Sequence, residues 1–330
     1  MSFHTRLCTF KTDDNERLHG LLFTPQDQQT DLALLFVHGV AMNFYLPPLS
    51  VFGQELAARG FHSFVINTRG HDWISRAGNL TKFGGSAYEL LEDCLPDLDA
   101  ALEFLRKQRY HRFVLIGHSL GAIKSIIYQG TRRRRDVVGI VSCSAPRQFY
   151  SERIARQAGF RELMDKAEAL VAQGKGDELL FIGVGATPGL FTARTHVNKY
   201  GRDDNNDCRP YAKRLGCALL ALVGGAEPKF FYEYAQEIVA AVGAKGTCRL
   251  VDGANHFFYL CGHANFRLTA ITRGLVSIMR TKGNGGERHP MLRQFLLHEF
   301  MQGGHIVLGI ESTSDARLIS NNSKGVPSLL

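Results

Sequence analysis

Residues 117–121 read Gly117-His118-Ser119-Leu120-Gly121 and directly follow the apolar run Arg112-Phe113-Val114-Leu115-Ile116. A buried-strand pattern that runs into G-x-S-x-G, with helical spacing from Ala122 onward, predicts a sharp strand-to-helix turn with Ser119 at its tip. That turn is too tight for side chains beside the serine, so glycine flanks it on both sides. Such geometry pushes a hydroxyl into a cleft and aims the next backbone N–H at a developing oxyanion. The chemistry implied is nucleophilic attack on an acyl carbon. To do it, Ser119 needs a base, an acid that orients the base, and oxyanion donors.

The base candidate among thirteen histidines is His256, in Asp252-Gly253-Ala254-Asn255-His256-Phe257-Phe258. It follows the last predicted strand in a glycine-containing loop, from which an imidazole can reach back to the tip of a central strand. His118, beside the nucleophile, is expected to turn its ring away from the cleft. The acid candidate is Glu227 in Gly224-Gly225-Ala226-Glu227-Pro228, at the end of an adjacent strand. Glutamate can replace aspartate here, because the role is to hold one imidazole tautomer and stabilise its cation. Asp252 is the rival acid, although its position suits a tether for the histidine loop; Asp203, Asp204 and Asp207 read as a solvated loop. Leu120 supplies one oxyanion N–H. The second is assigned to Val40 in His38-Gly39-Val40-Ala41-Met42-Asn43, where Gly39 permits a sharp turn at a strand end.

Positioning these groups requires a sheet whose strands end on one rim. Residues 6–11 and 18–23 read as an opening hairpin. Short, nearly continuous apolar runs follow at 32–37, 63–67, 113–116, 137–142, 218–223 and 247–251, as expected of strands covered on both faces. Helical spacing occupies 50–59, 88–107, 120–129, 229–242 and 265–280. This alternation predicts an α/β fold, a mostly parallel sheet with helices on both faces. Residues 146–213 break it, with helix-favouring stretches at 151–159 and 161–173 and loop-like material through Asp207. They read as a helical cap insertion, or alternatively as a long surface excursion, within a core formed by 1–145 and 214–281. Residues 282–330 read as a peripheral or poorly ordered extension, with a linker at 283–286 and a short amphipathic helix at 291–301.

The chain has 330 residues, 45% of them hydrophobic, enough for a sizeable core. No secretory signal is read at the N-terminus and no apolar run is long enough to span a bilayer. Seven cysteines without C-x-x-C spacing point to reduced thiols and a cytoplasmic location rather than a disulfide framework. The net charge of +8 draws on Arg132–Arg135, read as a solvated helix end. No nucleic-acid-binding signature accompanies it, so nucleic acid is not an indicated partner. Oligomeric state is not readable.

Taken together, the chain resembles an α/β-hydrolase over residues 6–280. The resemblance rests on His38-Gly39 after one strand, Asn67-Thr68-Arg69-Gly70-His71-Asp72 after the next, the Ser119 motif, and the order Ser119, Glu227, His256. It implies an eight-stranded sheet opened by the antiparallel hairpin. Two departures stand out: the acid is Glu where Asp is commoner, and the oxyanion loop is His-Gly-Val rather than His-Gly-Gly-Gly. Relatives with aspartate at this elbow are dehalogenases and epoxide hydrolases, and those with cysteine are dienelactone hydrolases. Serine implies hydrolysis of a carboxylic ester, thioester or lactone of a small acyl substrate through an acyl-enzyme, with no metal or organic cofactor. A serine peptidase or acyltransferase and a non-catalytic binding protein are the alternatives. Phe149, Tyr150, Phe181 and Phe191 could line an acyl pocket or form the cap's own core. Arg147 and Arg153 could attract an acidic group or be ordinary surface charges. Arg69 and Asp72 are expected to fix the loop beneath the site.

Overall fold

The computed structural model describes residues 2–26, 28–76, 82–184 and 187–258. The chain opens with the hairpin β1 (Phe3–Lys11) and β2 (Arg17–Pro25). Next come β3 (Leu32–Val37), α1 (Leu49–Ala58), β4 (Ser63–Ile66) and the two-residue strands β5 (Ser75–Arg76) and β6 (Phe83–Gly84). The central stretch is α2 (Cys94–Lys107), β7 (Arg112–His118), α3 (Leu120–Arg132) and β8 (Val137–Cys143). An insertion follows, with α4 (Tyr150–Arg156), α5 (Phe160–Ala172), β9 (Leu179–Val184), β10 (Thr187–Thr192), α6 (Ala193–Tyr200) and α7 (Arg209–Ala212). The chain then forms β11 (Ala218–Gly224), α8 (Lys229–Val242) and β12 (Gly246–Val251).

Eight strands form one sheet in the order β1-β2-β4-β3-β7-β8-β11-β12, antiparallel across its first two pairings and parallel across the rest. The continuous apolar runs follow from burial on both faces. In β3, Ala33, Leu35 and Val37 join one core, while Leu32, Leu34 and Phe36 join the other. β11 divides in the same way, with Leu219, Ala221 and Val223 opposed to Ala218, Leu220 and Leu222. Residues of α2, α3 and α8 complete the first core, and α1 contributes Leu49, Phe52, Leu56 and Ala57 to the second. Truncating one such leucine to alanine costs about 2–5 kcal/mol.

Two expectations are corrected. Residues 88–107 are not one helix: Leu90 is extended and α2 begins only at Cys94. Pro96 explains this, because a helix begun at residue 88 would bury proline in its interior, whereas proline is tolerated in a first turn. Residues 179–200, read as loop, instead form the β9–β10 hairpin and α6. Pro188 and several glycines interrupt the alternation there, and a two-stranded ribbon tolerates proline because half its backbone groups need no ladder partner.

The insertion has its own apolar cluster, with Phe160, Met164, Leu180, Ile182, Phe191 and Tyr200 buried. Its last part returns to the main core through Cys208, Ala212 and Leu215. The six described cysteines, Cys8, Cys94, Cys143, Cys208, Cys217 and Cys248, are free thiols. Arg132 pairs with Asp99 at 2.8 Å, and Arg133 closes α3 in a left-handed conformation, so the arginine run sits at a helix end. Among the described residues no helix is long and apolar enough to cross a membrane. The sequence readings at Cys261, 265–280 and 282–330 lie outside the described residues.

Candidate active site

Ser119 stands between β7 and α3 with φ 55° and ψ −124°. Serine is held in this left-handed region only by its surroundings, at a cost of about 1–3 kcal/mol. Its N–H donates to the Cys143 carbonyl at 2.8 Å, anchoring the turn to β8. A Cβ on Gly121 would lie 2.1 Å from the Val37 carbonyl oxygen, and one on Gly117 would lie 2.2 Å from that of Gly121. The flanking glycines are therefore required by packing of backbone against backbone.

The loop after β3 reaches the same point. A Cβ on Gly39 would sit 2.8 Å from Ser119 Cβ and 3.3 Å from Ser119 Oγ. His38 fixes this loop from beneath. Its Nε2 accepts from the Thr68 N–H at 3.0 Å, so Nδ1 carries the proton and donates to the Gly39 carbonyl at 2.8 Å. Full burial, with Lys124 nearby, lowers the His38 pKa to about 3 and keeps the ring neutral. Ala41 is left-handed at φ 54°, and its N–H donates to Ser86 Oγ at 2.7 Å. The Val40 side chain packs against both the main core and the insertion's cluster. Leu120 opens α3, and first-turn N–H groups have no partner within their own helix.

Glu227 and His256 are brought together at the ends of β11 and β12. His256 Nδ1 lies 2.6 Å from Glu227 Oε1. The second carboxylate oxygen accepts from Ser144 Oγ at 2.5 Å and from the Gly224 N–H at 2.7 Å. The Glu227 side chain is only 2% exposed and that of His256 31%, so the acid is enclosed while the imidazole faces outward. Their loops are joined by the Gly225 N–H on the Val251 carbonyl at 2.8 Å and the Ala226 N–H on the Ala254 carbonyl at 2.9 Å. Between the described residues Ser119 and His256 the structure draws no hydrogen bond. They are linked through His118, whose ring centroid is 5.0 Å from that of His256.

His118 does more than the sequence reading assigned it. The ring is buried, and its Nε2–H donates to the His256 carbonyl at 2.8 Å while Nδ1 faces Met42 Sδ at 3.3 Å. Burial, together with the nearby His256, lowers its pKa to about 3, so it holds the histidine loop as a neutral donor. A histidine placed between a buried apolar run and Ser119 was the available signal.

The other candidates separate clearly. Asp252 is exposed. Asp204 accepts from the Tyr150 N–H at 2.6 Å, and Asp207 pairs with Arg209. Asp72 accepts from Asn43 Nδ2 at 2.7 Å and its N–H donates to the Met42 carbonyl; Arg69 binds buried Asp97 at 2.8 Å. Phe191 is fully buried in the insertion, Phe149 belongs to the main core, and Phe181 is 76% exposed. Tyr150 packs against the insertion's cluster at its edge. Arg147 pairs with Glu152 and Glu237, whereas Arg153 is buried with its guanidinium over the Phe160 and Tyr200 rings. Among the described residues no group of three His, Cys, Asp or Glu side chains is arranged to hold a metal ion. A buried cluster of Glu89, Lys124 and Lys199 escaped the sequence reading, although Lys124 lies within an apolar helical stretch.

A family model described as "Alpha/beta hydrolase family" matches residues 34–266. The chain belongs to the alpha/beta hydrolase family. Its fold is similar to that of Est1E from Butyrivibrio proteoclasticus, with a TM-score of 0.54 and 13% identity over 90% of this chain and 99% of that one. The Pyrococcus furiosus esterase Pf2001 superposes with a TM-score of 0.55 and 16% identity, over 84% of this chain and 90% of the other. A monoacylglycerol lipase from Paleococcus ferrophilus gives 0.55 and 17%, over 84% and 98%. No curated protein matches the sequence.

Proposed function

We propose that this hydrolase cleaves a carboxylic ester, thioester or lactone of a small molecule, with Ser119 as nucleophile, His256 as general base and acid, and Glu227 as its orienting acid. The observation that carries the reading is the 2.6 Å contact of His256 Nδ1 with Glu227 Oε1. A carboxylate there takes the Nδ1 proton in a hydrogen bond and leaves Nε2 with its lone pair for the serine hydroxyl. Hydrogen bonds in uncomplexed sites tighten when substrate arrives, so closure of the Ser119–His256 contact belongs to the substrate complex. As Ser119 Oγ attacks, the Leu120 and Val40 N–H groups bind the oxyanion. Collapse expels the alcohol or thiol, protonated by His256 Nε2–H, and leaves an ester on Ser119. Water deprotonated by the same imidazole then releases the acid and restores the hydroxyl. Structural neighbours named as esterases and a monoacylglycerol lipase support ester substrates.

The test is covalent labelling by a fluorophosphonate probe beside hydrolysis of a chain-length series of p-nitrophenyl esters. The expected result is one label per chain, absent from Ser119→Ala, with turnover lost in parallel. A wild-type protein that takes no label and hydrolyses none of the esters refutes the reading.

A further inference from the structure

Beneath the oxyanion loop lie three charged side chains with no access to water. Glu89, in the loop after β6, is 2% exposed, and Lys124 on α3 and Lys199 on α6 are 1% and 0%. Lys199 Nζ binds Glu89 Oε2 at 3.0 Å, and Lys124 Nζ binds Glu89 Oε1. Burial pushes the Glu89 carboxyl up, but Lys124 and Lys199 outweigh it and hold it below the usual carboxylate range. Buried ion pairs contribute little to stability compared with apolar packing of the same volume, so their placement points to a positional role.

Two chains of contacts lead from this cluster to residues 38–41. On one side, Lys124 Nζ contacts Thr68 Oγ1 at 3.4 Å, and Thr68 holds His38 Nε2 through its N–H and hydroxyl, both at 3.0 Å. His38 then grips the Gly39 carbonyl. On the other side, Lys199 Nζ donates to the Ser86 carbonyl at 3.3 Å. The Ser86 hydroxyl accepts the Ala41 N–H at 2.7 Å and donates to the Gly70 carbonyl at 2.6 Å. Ala41 is left-handed, a conformation alanine keeps only under such restraint. The two peptide groups that flank Val40 are thereby held, the one carrying its own N–H through the Gly39 carbonyl and the next through the Ala41 N–H, and the second hold originates on the insertion.

We propose that Lys199, acting through Glu89 and Ser86, is a positioning residue for the oxyanion loop, so that seating of α6 sets the direction of the Val40 N–H. The inference rests on the acyl-transfer reading for its kinetic consequence but not for its structural one. On this proposal the insertion contributes to catalytic rate.

The experiment compares Lys199→Met, Ser86→Ala and the double variant by steady-state kinetics and by amide hydrogen exchange. Outright loss of an oxyanion donor lowers kcat by about 10²–10³-fold, and misdirection of one is expected to lower it roughly 10–100-fold with KM within about threefold of wild type. Because both residues lie on one path, the double variant should lose little more than the worse single variant. The Ala41 amide should exchange at least tenfold faster in either variant while amides of β7 keep their protection. Unchanged Ala41 exchange in folded Lys199→Met, a raised KM at constant kcat, or fully additive losses would overturn the proposal. If wild type proves inert toward the probe, the acyl-transfer reading has failed and the exchange measurement alone decides this one. Should Lys199→Met not fold, Lys199→Gln, which removes the charge but keeps a donor, is read by the same criteria.

Discussion

Replacing Glu227 by glutamine changes one oxygen for NH2 in a nearly closed site, and the surroundings dictate which way the amide points. The Gly224 N–H, 2.7 Å from Oε2, can only donate, so an NH2 placed there would set two donors face to face. Leaving such a buried donor unsatisfied costs about 1–3 kcal/mol. The amide oxygen therefore keeps Gly224 and Ser144, and NH2 turns toward His256 Nδ1. That nitrogen must then become an acceptor, which moves its proton to Nε2 and removes the lone pair Ser119 requires. A wrong-tautomer imidazole lowers kcat by about 10⁴-fold in a comparable triad, equivalent to about 5 kcal/mol of barrier. The expected outcome for Glu227→Gln is a 10³–10⁴-fold loss in kcat toward p-nitrophenyl butyrate, on the same scale. Urea unfolding should show a stability loss below about 2 kcal/mol, since packing is preserved. Retention of more than a tenth of wild-type kcat would refute the reasoning, above all if Asp252→Asn were the variant that lost it.

Gly39→Ala puts a methyl 2.8 Å from Ser119 Cβ; kcat should drop about 100-fold as the loop withdraws, with an unaltered circular dichroism spectrum. His118→Phe keeps a ring between the Phe257 and Phe258 side chains but deletes the donor to the His256 carbonyl. About tenfold slower phosphonylation is expected, on the scale of one lost hydrogen bond, and an unchanged rate would remove His118 from its role. His196, fully buried with neither ring nitrogen bonded, has its pKa lowered by burial to about 3. Between pH 6.5 and 3 the unfolded chain binds a proton at this position that the native state refuses, so stability falls as pH falls. His196→Phe should remove about 1.4 kcal/mol per pH unit of that slope, read from urea melts at pH 7, 5.5 and 4.5. His38 and His118 act in the same sense, whereas Asp97, pushed by burial to about 7, acts in the opposite one.

The sheet was legible because its inner strands are covered on both faces, with β3, β4 and β11 buried at every position. β3 and β11 are continuous hydrophobic runs for that reason, and the eight predicted runs became the eight strands. Periodicity also defined α8 closely, since its apolar face packs into the main core through Tyr234, Ala235 and Ile238. It failed where long-range contacts override local pattern. The stretch before α2 carries helical spacing, but its backbone is held by Glu89 in an ion cluster assembled from three distant elements. No local signal marks Lys199 as buried, because its partner is 110 residues away. At the site, residue type and order along the chain singled out residues 119, 227 and 256. The grip of His118 on the histidine loop depends on a backbone carbonyl, which no sequence displays.

If Ser119 is the nucleophile proposed above, the demands of folding and of turnover diverge there. Glycine would occupy φ 55°, ψ −124° without steric penalty, relaxing the turn by up to about 2 kcal/mol once its greater freedom in the unfolded chain is subtracted. Thermostability selection unaccompanied by an activity screen would favour replacing the hydroxymethyl side chain by hydrogen at this position. On the proposed mechanism its products would be sturdier proteins unable to form the acyl-enzyme, and persistence of a serine there under mutation would itself be a sign that catalysis is being selected.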